Sequence, residues 1–172
     1  GVLMVLVISL LVLLRRKNRA TSSSSGHLSK EKAFKYRNAP NQIRLFGELT
    51  INDRNGEDVT SVFTNQQIII LCLLVRRHEN GISTKRLSSI LWPDKEEDKV
   101  KNSRGVAINN LRKSLDLLSG ATIEYRGGRY YLELSEDCRC DYWDLQSYLE
   151  GRDSAVVKAL DIISQGRFLK SV

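Results

Sequence analysis

Apolar positions along this chain change rhythm several times, and each rhythm predicts an element. "IRLFGELTI" alternates Ile43 and Leu45, then Leu49 and Ile51, around Gly47, as the inward face of a small half-buried sheet does. "NDRNGED" follows as a turn. The run "QQIIILCLLVRRH" is apolar at helical spacing, and Thr64 with Gln67 fits a capping box in which each side chain satisfies an orphan amide. "ENG" closes that helix, with Gly81 as a left-handed cap. Ser83 caps a short second helix, "TKRLSSILW", which Pro93 ends. "DKEED" sets acid ahead of a third helix, where the helix dipole favours it. The third helix is predicted from about Lys99 to Leu118.

Alternation returns in "ATIEYRGGRYYLEL". Gly127 and Gly128 supply the two positive φ angles of a tight hairpin turn. That turn sets Arg126 opposite Arg129, Tyr125 opposite Tyr130, Glu124 opposite Tyr131 and Ile123 opposite Leu132. Ile123, Tyr125, Tyr130, Leu132 and Leu134 then share one face, and Thr122, Glu124, Arg126, Arg129 and Glu133 the other. A slip of one residue would scramble both faces.

The order of small antiparallel sheet, three helices and C-terminal β-hairpin is that of an α+β winged helix-turn-helix. "IRLFGELTI", "LW" at Leu91-Trp92, "VAINNLRKSL" from Val106 and "RGGRYYLEL" at the hairpin carry a family resemblance. The chain resembles the OmpR/PhoB-type effector domain, in the version found in bacterial antibiotic-pathway regulators ahead of a transcriptional activation domain. The resemblance spans roughly Ile43 to Asp141. It implies a sequence-specific DNA-binding regulator, with the helix over about 99–118 in the major groove and the wing over 122–134 on the backbone or minor groove. It also implies that the acidic 93–98 loop meets RNA polymerase, and it leaves open a homodimer on DNA. The family often has basic residues where Asn109 and Asn110 stand, and glycine where Arg129 stands. These departures bear on the preferred DNA sequence more than on the fold.

The third helix, turned by 100° per residue, separates into two stripes. Val100, Ala107, Leu111, Leu115 and Leu118 cluster, with Arg104 and Ile108 at their border. Opposite lie Asn102, Gly105, Asn109, Arg112, Lys113 and Asp116, with Val106 at the edge. A face that only had to stay soluble would mix glutamate with lysine. A major groove explains the amides and cations better: asparagine pairs with adenine, arginine or lysine with guanine, and Val106 suits a thymine methyl. Gly105 costs about 1 kcal/mol against alanine in a helix interior, which a close approach by a ligand would justify. Asp116 is expected to orient Arg112, four residues back. Arg126 and Arg129 repel each other across the turn, and a phosphate or narrow minor groove would relieve them. Lys85 and Arg86, in the first turn of the second helix, are expected backbone contacts that position without reading sequence. The candidate DNA-binding set is thus Asn102, Val106, Asn109, Asn110, Arg112, Lys113, Arg126, Arg129, Lys85 and Arg86. The alternative is a winged-helix protein-interaction module that never meets DNA.

Outside this domain the pattern changes. Residues 1–14, "GVLMVLVISLLVLL", are apolar throughout, and "RRKNR" follows at once. Fourteen residues fall short of the roughly twenty that span a bilayer. A signal peptide would carry its charges ahead of the apolar run and a small-residue cleavage site after it. The expectation is a chain cut inside a transmembrane helix, with Arg15, Arg16, Lys17 and Arg19 holding their side in the cytoplasm. The winged helix would then sit in the cytoplasm at the inner (cytoplasmic) membrane. Residues 15–42 form a basic, Ser-rich linker that would reach about 25–30 Å as a coil. After the domain over 43–141, residues 142–172 read as two helices broken near Gly151, and look like the start of the helical activation domain of the family above. Such arrays usually need three or more repeats. Either the chain continues past Val172, the preferred reading, or the pair packs on the winged helix.

Composition adds two limits. The 172 residues carry a net charge of +7, which suits nucleic acid or an anionic membrane surface as partner. Three cysteines and two histidines offer no disulfide framework and no metal-ligand spacing, so Cys72, Cys138 and Cys140 are expected reduced and structural. His78 is expected as a cation at a helix end. No nucleophile–base pair and no phosphate-cradling loop emerges, and Ser22 to Ser25 are linker serines. Neither catalysis nor a cofactor is expected.

Overall fold

The computed structural model describes residues 39–151 and 156–170. The transmembrane segment expected over 1–14 and most of the linker lie outside them. No helix among the described residues is long and apolar enough to cross a membrane.

The first sheet forms where the alternation predicts it. Strand β1 (Gln42–Arg44) pairs antiparallel with β2 (Thr50–Asn52), Ile43 opposite Ile51, and both isoleucines are fully buried. After a 3-10 turn (Thr60–Val62), helix α1 (Asn65–Arg76) opens on the expected capping box. Thr64 Oγ1 accepts from the Gln67 amide at 3.3 Å, and Gln67 Oε1 accepts from the Thr64 amide at 2.7 Å. Gln67 also donates to Ser114 Oγ at 2.9 Å, which ties α1 to the third helix.

Gly81 is left-handed, at φ +60°, but does not cap α1, which has ended five residues earlier at Arg76. Its amide closes a separate turn onto the Arg77 carbonyl, and a Cβ there would lie 2.7 Å from the Tyr131 ring. The glycine is needed for packing under the wing. Directly after it runs a strand that the apolar pattern does not predict, β3 (Ile82–Ser83), two residues long and so below any periodicity. Helix α2 (Thr84–Leu91) follows, with Ser83 Oγ accepting from the Arg86 amide at 3.2 Å. It stops ahead of Pro93 as expected.

Helix α3 covers Glu97–Leu115, beginning two residues before the expected start and ending three before the expected end. Glu97 and Asp98 stand in its first turn and Glu96 at its N-cap, so the acids do not merely precede it; Glu96 pairs with Lys99 at 2.7 Å. Leu118 is buried all the same, from the turn after the helix. Strands β4 (Ala121–Arg126) and β5 (Arg129–Leu134) make the wing in the predicted register at every pair. With β3 they form a sheet in the order β3-β5-β4. Three helices over a winged sheet, with a second sheet ahead of them, is a winged-helix arrangement.

The core gathers one face of each element. Ile43, Ile51, Ile70, Leu71, Leu87, Leu111 and Leu115 are fully buried, each worth about 2 kcal/mol of transfer free energy. All three cysteines are free and buried. Burial pushes the thiols of Cys72 and Cys138 up to about 11, and that of Cys140 higher still.

Strand β6 (Arg139–Cys140) runs parallel to β1 and is likewise too short for the sequence pattern to reveal. It leads into α4 (Asp141–Leu149), which is followed by α5 (Val156–Ser164). The pair packs back on the first sheet, the second of the two arrangements weighed for it. Phe46, Leu145, Ala159 and Ile162 form a second small core, and Phe46 bridges to Phe168 beyond α5. Trp143 donates to the Val75 carbonyl at 2.9 Å, satisfying an orphan acceptor at the end of α1. His78 stacks on the same indole, with ring centroids 4.6 Å apart. That contact, rather than the end of α1 alone, accounts for its place.

Candidate nucleic-acid interface

The exposed side of α3 is built by subtraction. Val100, Ala107, Ile108, Leu111 and Leu115 are turned into the core, so Asn102, Gly105, Val106, Asn109, Asn110, Arg112 and Lys113 face outward. Between Lys99 and Leu115 no acid occurs. Asp98, Lys101, Asn102, Gly105, Val106 and Asn109 line a shallow depression on this face. Val106 is 54% exposed in its centre, more than solubility would favour for a valine. A Cβ on Gly105 would meet nothing within 4 Å, so nothing in the fold requires glycine there. Sequence reasoning missed Lys101 and Asp98 as members of the depression. The 100° turn sets Lys101 on this face within the expected 99–118, and Asp98 joins it because the helix begins at Glu97.

Arg112 differs from expectation. Its Nε and Nη2 donate to the Ile123 carbonyl at 3.1 and 2.7 Å. Asp116 does not hold it; the Asp116 backbone carbonyl accepts from Arg54 instead. The guanidinium leans towards β4 because the wing offers an unpaired carbonyl within its reach. Arg104, on the border of the apolar stripe, donates to Ser88 Oγ at 2.8 Å and joins α3 to α2. Both α3 arginines therefore serve as struts between elements.

The wing tip is exposed, as expected, but its two arginines are not left to repel each other. Arg126 pairs with Glu133 and lies over the Tyr131 ring, 4.1 Å from its centroid. The hydrogen bond to Glu133 holds its guanidinium yet more firmly in the charged form. Arg129 donates to the carbonyls of Asn80 and Gly81 at 3.1 and 3.4 Å. Contrary to expectation, no anion is needed to relieve this pair, because Glu133 and two carbonyls already do so. The predicted register places Arg126 and Glu133 on one face, so this partner was within reach of the sequence.

One backbone bond joins the wing to α2. The Thr84 amide donates to the Gly128 carbonyl at 3.1 Å. The tip carrying Arg126 and Arg129 thus stands beside the first turn of α2, where Lys85 and Arg86 are exposed. Arg112 fastens the other end of β4 to α3. The ten candidate residues lie on three elements that are directly bonded to one another, and none of them is buried. Asn110 stands apart from the line through Asn102 and Asn109 by about 100°, and its carbonyl accepts from Ser114.

No family model matches the chain, and no curated protein matches it. Among solved structures, EmbR of Mycobacterium tuberculosis, in complex with a low-affinity phosphopeptide, is similar over 74% of this chain at 20% identity, with a TM-score of 0.49. The chain spans 37% of the EmbR chain.

Proposed function

We propose that this protein is a sequence-specific DNA-binding transcriptional regulator, with α3 lying in the major groove and the wing and the start of α2 on the phosphate backbone. The observation that carries this reading is the outward face of α3. It is free of acid from Lys99 to Leu115 and flanked by cations on two bonded neighbours. Electrostatic contact with phosphates supplies affinity, and groups on the helix supply selectivity. The role is binding, without catalysis.

The apolar run 1–14 and the cations after it support a tether at the cytoplasmic membrane, with the winged helix on the cytoplasmic side. In the 93–98 loop the exposed acids Asp94, Glu96 and Asp98 suit a contact with RNA polymerase. Two copies on paired half-sites suit the fold.

A mobility-shift assay of the whole chain against bacterial promoter fragments at moderate salt tests the reading. Discrete complexes that weaken with Asn109→Ala and with added salt are expected. Binding to a protein partner alone, indifferent to salt and to reversal of Arg126 and Arg129, would replace it with the interaction-module reading.

A further inference from the structure

The outward groups of α3 are not equivalent, and their bonding sorts them. Arg112 is committed to the Ile123 carbonyl through two donors and Arg104 to Ser88, so neither presents a free fork to a guanine edge. Among the described residues, the side chains of Asn102 and Asn109 have no partner and are exposed. They stand seven residues apart, about 10 Å along the axis, which is roughly three base-pair steps. Val106 projects between them beside Gly105, where the missing side chain leaves the helix backbone open. Lys101 and Lys113 stand near the two ends of this stretch, about 18 Å apart along the axis. Lysine at the ends of a groove-bound helix suits the phosphates that rise on either side.

The geometry points to Asn102 and Asn109 as the base-reading side chains of α3, each directed at an adenine, with Val106 against a thymine methyl between them and Arg112 as a positioning residue that carries the wing. An asparagine amide offers one donor and one acceptor, which match N7 and N6 of adenine, and valine matches only the methyl of thymine. The centre of the half-site is therefore A·T over about three base pairs. Two asparagines and a glycine in mid-helix disfavour the helix itself, and the core asks for none of them. This inference rests on the DNA-binding reading above and goes beyond it by naming the base class and the readers.

The test is selection of the whole chain on a pool of randomised duplexes, with the bound sequences read out. Enrichment of adenine and thymine at the centre is expected. Asn109→Ala, an exposed change that circular dichroism should show to be folded, is expected to weaken the selected site by about 5- to 150-fold and to flatten the adenine preference. Arg112→Lys is expected to keep the base preference while lowering the thermal midpoint. Central G·C, with the preference kept in Asn109→Ala and lost in Arg112→Lys, would overturn the assignment. So would duplex binding with no base preference; in the first case the DNA-binding reading survives whole, and in the second duplex binding survives without its sequence specificity. No binding to any duplex at low salt would overturn both.

Discussion

Asp141 is fully buried at the start of α4, and its carboxylate accepts from the Leu45 amide at 2.9 Å and the Phe46 amide at 3.0 Å. Burial pushes its pKa up to about 6, against the pull of those amides and of Arg44. The ordinary value is 3.8, so between about pH 4 and 6 the folded chain holds a proton that the unfolded chain has released. Its contribution is full below about pH 4, falls as pH rises through 6, and stays low above. A gap of about two units is worth about 3 kcal/mol. Urea unfolding of the protein and of Asp141→Asn at pH 4 and pH 7 checks this. The native protein should lose more stability than the variant on going from the lower to the higher pH; equal losses would remove Asp141 as the cause. Nothing local marks this residue, because these two amide partners lie ninety-six and ninety-five positions away. Thr64 and Gln67 are legible because a capping box closes within four residues. Arg112 is exposed, as its stripe predicts, yet it is not free, since its acceptor is a backbone carbonyl that no side-chain pattern records.

At the scale of elements, the wing is the most legible part. A two-glycine turn fixes a register, and the register fixes both faces. The two glycines sit at φ +58° and +75°, with nothing near their missing Cβ atoms. Gly127→Ala should therefore cost only the conformational term, about 1–2 kcal/mol. Gly81→Ala should cost clearly more, because the Tyr131 ring must move as well. Thermal unfolding of the two variants ranks them, and the reverse order would contradict this packing. Strands β3 and β6, of two residues each, escape because alternation needs at least four residues to be seen. Their partners, the wing and β1, create them. The outward face of α3 is legible as a stripe, while its division into struts and free amides depends on acceptors in other elements.

For the whole molecule, the helical pair is part of the fold's support. Residues 156–170 bury Ala159 and Ile162, and cover Phe46 with Phe168. Shortening the chain to end at Gly151 should cost about 5 kcal/mol of unfolding free energy, from reduced apolar burial. Denaturant unfolding of the shortened chain measures it, and an unchanged midpoint would mean that α5 and the residues after it add nothing. Charge is likewise a property of the whole surface. Each phosphate left without its cation should reduce the slope of log affinity against log salt by about 0.9. Lys85→Ala should do so without altering which sequence is preferred. A changed preference would show that Lys85 reads bases.

The Thr84–Gly128 bond has a thermodynamic consequence. Together with the β3–β5 pairing it holds the wing tip against the first turn of α2, so Lys85, Arg86, Arg126 and Arg129 form one preset cluster in the free protein. A receptor already shaped for its target loses little configurational freedom on docking. Calorimetry across a range of temperatures should then give a heat-capacity change no larger than rigid apolar contact accounts for, without the excess that accompanies folding upon association.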